Sequence, residues 1–370
     1  MKPADRNGAL LLPLQDSPGS GLTLSWGLAL RIEAPADPQP WHVALRCLGM
    51  RPHLRRRFSR NEHRWSSRIV PGSTVNHAWM DRARWQDEAV ARELAQLQRE
   101  PFVDDDDLPW RTRLLAAGGR AEHLLLAWHG TLLSPGSLSQ LPNVLADCLA
   151  GAGEEAVSDA AVTAGTYARR DDLTLDWPDL SLSIPGRGDA PSGSCGVVAC
   201  DCGPAPAEAV RSLANAVGFR VRTIYLAAYL ALLRIYTRQK DLGLGIFLPS
   251  EQGDVFTTLR VGIDPRQSFA SFLESVRRAE DAALDAAFRP LVPAPPPLHH
   301  LFAWTSDTEG AAFAEFALGR PSTRVAVGQL RMTIRPIGER FSPFPIVVRL
   351  GESTGGAFGQ VEYHRDRYQE

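Results

Sequence analysis

The sequence lacks the features that place a protein in a membrane or on nucleic acid. No hydrophobic run approaches the roughly 18 residues that a membrane span needs. The longest apolar stretch near the start, Ala9 to Leu14, contains Pro13 and is too short for the core of a secretion signal. Lys and Arg number 40 against 42 Asp and Glu, which gives a formal net charge of −2 and no general attraction to polyanions. We therefore expect a cytoplasmic protein that binds neither nucleic acid nor membrane.

Cysteine is scarce, and its spacing fits no metal site. Of the five cysteines, Cys195, Cys200 and Cys202 cluster, but without a CxxC pair or a nearby histidine. Because five is an odd number, the cysteines cannot all pair within the chain, and a reduced, cytoplasmic protein is the default expectation. The sequence also has no GxGxxG or Walker pattern and no GxSxG turn. We therefore expect no metal and no cofactor of the protein's own.

The length and the composition are those of an ordinary globular protein with two domains. The chain has 370 residues, of which 44% are hydrophobic and 22% charged, enough apolar material to bury sizeable cores. Between 150 and 194, Gly, Asp, Ser and Pro accumulate and the hydrophobic periodicity fades. We predict an N-terminal lobe over 1–170, a linker over 171–195 and a C-terminal lobe over 196–370.

Helices and strands alternate in both predicted lobes, which indicates the α/β class. Apolar residues at every second position, including Trp26, Leu28 and Leu30, predict a strand over 22–32. Gly118-Gly119 between two apolar runs predicts a hairpin of strands 113–117 and 123–129. We predict helices at 41–48, 85–99, 137–149, 206–217 (ended by Gly218), 223–236 and after Ser268, and further strands at 196–200, 242–248, 258–263, 301–305, 329–337, 344–350 and 356–363.

Five segments of the chain, in this order, resemble conserved blocks of one family. They are Met50–Phe58 (MRPHLRRRF), Pro101–Asp104 with the following Pro-Trp-Arg, Thr223–Gly245 with its YTRQKD, Leu259–Arg277, and Gln360–Tyr363. Together they resemble the condensation domains of nonribosomal peptide synthetases, which are similar to chloramphenicol acetyltransferase. The resemblance implies two chloramphenicol-acetyltransferase-like lobes in a V-shaped pseudo-dimer with a tunnel between them.

The chemistry of that family lies in an HHxxxDG motif, and this chain keeps little of it. In the family, the second histidine acts as general base or orients the attacking amine, and the Asp fixes the loop. Aligned by the flanking strand and helix, His129 takes the place of the first histidine. Gly130 takes the place of the second, and Ser134 that of the Asp. His129 is therefore the single candidate base among the three motif positions His129, Gly130 and Ser134.

Two other histidine arrangements offer alternatives. Moving the alignment by one residue makes His129 the second histidine, with Trp128 at the first and Leu133 at the Asp. A lone histidine at a strand end is more often a packed or hydrogen-bonded residue. The pair His299-His300 also resembles the motif, but Trp304 stands where the Asp should be. We interpret that pair as polar residues entering a strand.

Two charged runs allow a functional and a structural interpretation. The four carboxylates of 104–107 have the chemistry to bind a divalent cation, but a solvated turn explains them as well. Arg51, Arg55, Arg56, Arg57 and Arg60 form the one basic cluster of the sequence. These arginines have the charge to meet a phosphopantetheine arm or an acidic carrier protein. Arg55, however, matches a structural position of the family.

The resemblance implies one of two functions. The favoured one is a non-catalytic or altered condensation-like domain that docks a carrier protein or a tailoring enzyme. The alternative is an active acyltransferase that forms an amide or ester from a carrier-tethered thioester. Either way, the phosphopantetheine belongs to a partner carrier protein or adjacent synthetase module, and we expect a monomer. The family continues into another helix after Tyr363, so either that helix is absent here or the chain is part of a larger synthetase.

Overall fold

A computed structural model of the chain divides into two compact units. The first comprises Gly21–Ala168 and Ala312–Phe341, and the second comprises Met1–Ser20, Arg169–Ala311 and Ser342–Glu370. The residues that the structure describes are 25–61, 64–69, 77–99, 108, 110–129, 141–151, 165–168, 180, 182, 194–249, 255–287, 298–305, 315, 318, 320, 323–335, 340–342, 344–353 and 356–368.

The first unit is built on a six-stranded sheet in the order β12-β13-β1-β6-β5-β4. All neighbouring strands in it are antiparallel except β4 and β5. The elements of this unit are β1 (Ser25–Ala36), α1 (Pro38–Gly49), β2 (Arg56–Asn61), β3 (Arg64–Ile69), β4 (His77–Arg82), α2 (Asp87–Arg99), β5 (Trp110–Ala117), β6 (Arg120–His129), α3 (Leu141–Leu149), β7 (Gly165–Ala168), β12 (Arg324–Val327), β13 (Leu330–Ile334) and β14 (Arg340–Phe341). Strands β2, β3 and β7 form a separate small sheet.

Helices cover both faces of the central sheet of the first unit. On one face, α1 and α3 pack through Trp41, Leu45 and Leu145 against alternate residues of β6, among them Leu124 and Leu126. On the other face, α2 packs through residues such as Val90 and Leu94 against the β6 residues that point the opposite way, Leu125 and Ala127. This alternation follows from the two-residue period of a strand, and it fixes which face each residue of β6 meets.

The hairpin of β12 and β13 joins this sheet from the late part of the chain. The hydrophobic pattern of the sequence predicts a strand over 329–337 within the C-terminal lobe. In the structure, Leu30 of β1 pairs with Ile334, and Ile32 pairs with Met332. That placement of the strand was therefore wrong. The pairing partner of a strand is set by distant residues, which a local hydrophobic pattern does not report.

The second unit also has a mixed sheet, in which six of its strands run in the order β10-β9-β11-β15-β16-β8. β11 is parallel to β9 and β15, and the other pairs are antiparallel. The elements are β8 (Ser194–Asp201), α4 (Pro204–Val217), α5 (Val221–Thr237), β9 (Asp241–Leu248), β10 (Val255–Gly262), α6 (Phe269–Ala287), β11 (His300–Thr305), β15 (Ile346–Ser353) and β16 (Gly356–His364).

A buried carboxylate fastens two helices of the second unit to each other. Glu280 on α6 is fully buried and accepts a hydrogen bond from the Thr223 hydroxyl at 2.6 Å and from Arg222 Nε at 2.7 Å. Around it, α5 and α6 bury apolar residues such as Leu230 and Leu273 in one core. A buried charge that is both paired and hydrogen-bonded is tolerated, whereas removal of one partner is costly.

Most of the predicted elements are confirmed, including the end of α4. Gly218 follows that helix in the left-handed conformation, with φ of 68°, as the sequence predicted. The predicted hairpin over 113–129 is also present, with both turn glycines at positive φ.

No single helix among those described has both the length and the apolar composition to span a membrane. Helices α4 and α5 meet that test only together, and they are bent by 108° at the break between them.

Candidate functional site

His129 is the last residue of β6, a central strand of the first unit's sheet, and several polar side chains are buried near this strand end. It pairs in register with Ser25, the first residue of β1. Only 2% of His129 and 1% of Ser25 is exposed. Of the three predicted motif residues, the structure describes His129, and it is enclosed by protein.

The face of β6 that carries His129 is the face covered by helix α2. By strand alternation His129 shares a face with Leu125 and Ala127, which pack against α2. The end of α2 closes over this position through Gln98, whose Nε2 donates to the Ser25 carbonyl at 3.5 Å. Gly27 makes room for it, because a Cβ there would lie 2.6 Å from Gln98 Cδ. His129 thus belongs to a packed sheet–helix layer.

Burial makes His129 a weak base. The loss of solvation on burial lowers the pKa of His129 to about 3, so the imidazole is neutral at physiological pH. General base catalysis is most effective when the pKa of the base lies near the working pH. An imidazole that resists protonation this strongly takes a proton from an amine poorly.

Around the end of β6, some buried polar atoms have no hydrogen-bond partner within the part of the chain that the structure describes, and of these only Ser25 Oγ belongs to the face that carries His129. They are the hydroxyl Oγ of Ser25, the indole Nε1 of Trp128 and the hydroxyl Oγ1 of Thr112. By contrast, Nε1 of Trp110, which pairs with Trp128 in register, donates to the Leu54 carbonyl at 2.9 Å. Unsatisfied buried groups are uncommon and costly in a region that serves stability alone.

His300, from the other histidine pair, is a structural residue of the second unit. It is the first residue of β11 and is fully buried. Both of its ring nitrogens are hydrogen-bonded, Nε2 to the Leu180 carbonyl at 2.9 Å and Nδ1 to the Tyr229 hydroxyl at 2.8 Å. Because a carbonyl only accepts, Nε2 carries the proton and the hydroxyl donates to Nδ1. Burial lowers the pKa of His300 to about 4, although the bond to Leu180 works against it. The interpretation of this pair as residues entering a strand is confirmed for His300.

The other candidate residues are only partly described. Gly130, Ser134 and the carboxylates of 104–107 lie outside the described residues. Arg55 of the basic cluster is 4% exposed, in keeping with a structural position, and Arg51 is half-buried. Within the described ranges, no group of three or more His, Cys, Asp or Glu side chains is placed to hold a metal ion.

Sequence reasoning missed the residues that surround His129. Ser25 and Gln98 are short or flexible polar residues in otherwise apolar patterns, and nothing in their local sequence points to His129. Only the register of β1 on β6 and the packing of α2 bring them there. Gly27 is the one sequence feature that could have indicated the packing of Gln98 on this strand, because a glycine inside a strand often marks a close approach of another group.

No family model matches the sequence, and no curated protein matches it. Solved structures do match over nearly the whole chain. The X-domain from teicoplanin biosynthesis aligns with a TM-score of 0.73 at 18% identity, covering 99% of this chain and 90% of that one. The first condensation domain of the CDA synthetase aligns with a TM-score of 0.62 at 18% identity, covering 100% and 91%. The fold is that of a condensation domain.

The likeness extends to a structure of a complex. The X-domain bound to OxyB, also from teicoplanin biosynthesis, aligns with a TM-score of 0.71 at 17% identity, covering 99% of this chain and 88% of that one. The prediction of a condensation-domain fold from the five sequence blocks is therefore confirmed.

Proposed function

We propose that the chain is a condensation-like domain of nonribosomal peptide biosynthesis that docks a carrier protein or a tailoring enzyme and does not itself catalyse condensation. The observation that carries this proposal is the position of His129. It is the single base candidate of the degenerate motif, and it lies on the α2-covered face of β6 with 2% exposure.

The chemistry at the motif agrees with a loss of catalysis. An amine that attacks a thioester must lose a proton, and a nearby base has to accept it or hold the amine in place. His129 has its pKa lowered to about 3 by burial, and glycine stands at the position of the second histidine. Without a competent base at either position, substrate positioning alone would have to drive the reaction.

The docking part of the proposal is supported by the solved structures. The X-domain from teicoplanin biosynthesis has been seen in complex with OxyB, and that structure aligns with 99% of this chain. We infer that this chain uses the same fold to hold a partner. Any phosphopantetheine would be carried by a partner carrier protein, in a cytoplasmic setting.

The test is a transfer and binding experiment on the same samples. The purified protein is incubated with an acyl-thioester carrier protein and an aminoacyl carrier protein, and products are followed by intact-mass spectrometry. We expect no acyl transfer above the buffer control, together with measurable binding of carrier protein or of a tailoring enzyme by calorimetry. Wild type, His129→Ala and Gly130→His run side by side.

Each outcome has a defined meaning. Transfer by the wild type that is lost in His129→Ala would overturn the proposal and identify an acyltransferase. Transfer that appears only in Gly130→His would support it, because it would show that the base position alone has decayed. Absence of both transfer and binding of either partner would contradict the docking role.

A further inference from the structure

Two cysteines from distant parts of the chain meet between helices of the first unit. Cys47 lies on α1 and Cys148 on α3, and these two helices pack against each other on one face of the sheet. Cys148 is 1% exposed, whereas Cys47 is half-buried and packs against the same apolar cluster. Both are free thiols. Cys47 is therefore the more accessible of the two thiols, and Cys148 is enclosed in the same apolar cluster.

The side chains of the pair lie close to each other, and an arginine lies near them. Cys47 and the Arg51 guanidinium, just after the end of α1, are both near enough to the Cys148 thiol to shift its pKa. Burial, together with the nearby Cys47, raises the pKa of Cys148 to about 12, while Arg51 acts in the opposite direction. Cys148 is thus held as a neutral thiol, and the more accessible Cys47 is the one that meets an oxidant first.

We propose that Cys47 and Cys148 form a reversible disulfide that links α1 to α3 when the protein meets a hydroperoxide. The sulfur of Cys47 attacks one peroxide oxygen, the O–O bond breaks, and Cys47 becomes a sulfenic acid as one water leaves. The sulfur of Cys148 then attacks the sulfenic sulfur, the S–O bond breaks, and a second water leaves with the Cys148 proton. Two thiols are oxidised and one hydrogen peroxide is reduced to two waters.

The cross-link would join two helices that each lie next to a segment with candidate functional residues. Helix α3 begins at Leu141, after the stretch that carries Gly130 and Ser134, and α1 ends just before the arginine cluster that starts at Arg51. A disulfide between them closes a loop of about 100 residues, for which chain-entropy arguments predict large stabilisation. This inference does not depend on the docking function, because it concerns thiols away from His129.

Cys200 and Cys202 provide an internal comparison. Both are half-buried and close in sequence, and the pKa of Cys200 is raised by burial and by the neighbouring Cys202. Two residues apart along an extended chain, their Cα atoms are separated by about 6.5–7 Å, the upper limit for an unstrained disulfide. We expect oxidation to link Cys47 with Cys148 in preference to these two.

The experiment is disulfide mapping of the whole chain after mild treatment with hydrogen peroxide. Remaining thiols are blocked with iodoacetamide, and digests are searched by mass spectrometry for a Cys47–Cys148 peptide that disappears after dithiothreitol. We expect this peptide to dominate and the oxidised protein to melt at a Tm higher by roughly 5–10 °C. Cys47→Ser should remove both effects, and Cys200→Ser should remove neither.

Contrary results are equally clear. Separate alkylation of Cys47 and Cys148 after peroxide treatment, or a dominant Cys200–Cys202 peptide, would overturn the proposal. Because Cys148 is buried and its replacement could unfold the protein, the half-buried Cys47 carries the decisive substitution. A Cys47→Ser protein that keeps its reduced-state Tm but still gains Tm on oxidation would also overturn it.

Discussion

Each of the two units buries a histidine at one terminus of a central strand, and the buried polar groups beside the two histidines differ. In the second unit, His300 at the start of β11 has both ring nitrogens hydrogen-bonded, to Tyr229 and to the Leu180 carbonyl. In the first unit, His129 at the end of β6 pairs in register with Ser25, whose buried Oγ has no hydrogen-bond partner among the described residues. Burial alone therefore does not distinguish the two histidines, but their surroundings do.

The difference matters for stability, because a buried polar group without a hydrogen-bond partner costs roughly 1–3 kcal/mol. Both ring nitrogens of His300 are hydrogen-bonded, whereas the Ser25 hydroxyl beside His129 has no partner among the described residues. We therefore expect the hydrogen bonds of His300 to contribute more to stability than the polar contacts beside His129.

The largest expected effect is a loss of stability in acid, shared by both units. Burial lowers the pKa of His129 to about 3 and those of His123 and His300 to about 4, while an unfolded histidine titrates near 6.5. The unfolded chain therefore binds more protons below pH 6.5, and the free energy of unfolding should fall as pH drops from 6.5 to 4. Urea titrations across this range measure it. His129→Gln and His300→Gln should each flatten the slope, and an unchanged slope in both would contradict the account.

The next effect separates the two histidines. We expect His300→Ala to cost about 3 kcal/mol, because it leaves a cavity and deprives the Tyr229 hydroxyl and the Leu180 carbonyl of their partner. Tyr229→Phe, which removes one of the two hydrogen bonds, should cost about 1 kcal/mol. Urea denaturation at pH 7 measures both. A cost for His129→Ala larger than that for His300→Ala would reverse the comparison.

A third prediction tests the packing of α2 over the strand end. Gly27→Ala places a methyl group where Gln98 lies, and we expect a loss of about 1–3 kcal/mol. Gln98→Ala in the same protein should recover part of that loss, because it removes the group that the methyl meets. A double-mutant cycle by urea denaturation gives the coupling between the two sites. Strictly additive effects would show that Gln98 does not cover Gly27.

The smallest expected effect compares two paired tryptophans. Trp110→Phe removes the hydrogen bond to the Leu54 carbonyl, whereas Trp128→Phe removes an indole N–H that has no partner among the described residues. Both lose similar ring area, so the difference isolates the hydrogen bond. We expect Trp110→Phe to be less stable than Trp128→Phe by about 1 kcal/mol. Equal stabilities would indicate that Trp128 Nε1 is satisfied in solution.

The sequence predicted the local elements well and the long-range pairing poorly. Periodicity and glycine positions were enough for the hairpin of β5 and β6 and for the end of α4 at Gly218, because both depend on neighbouring residues. The pairing of β13 with β1 was missed, since strands far apart in sequence carry no local mark of their partner. Strands β2, β3, β4 and β7 were also missed, because their polar composition lacks a clear apolar alternation.

For the site, the sequence predicted a position, and only the structure shows how that position is packed. Alignment by the flanking strand and helix predicts His129 as a motif residue, and its role stays a prediction, while strand β6 does end at that residue. That His129 lies on the face packed by α2, with Gln98 over Gly27, depended on tertiary packing. Gly130 and Ser134 lie outside the described residues, so their roles in the motif stay predictions.

The most direct test of the account is the pKa of His129 itself, measured by NMR titration of its imidazole C–H resonance in the folded protein. His129→Gln assigns the signal, and His300 serves as the buried reference within the same spectrum. We predict that the His129 signal does not titrate between pH 5 and 8, since burial holds its pKa near about 3. A titration midpoint between pH 6 and 7 would contradict the account, because it would give the motif a solvent-reachable base suited to condensation.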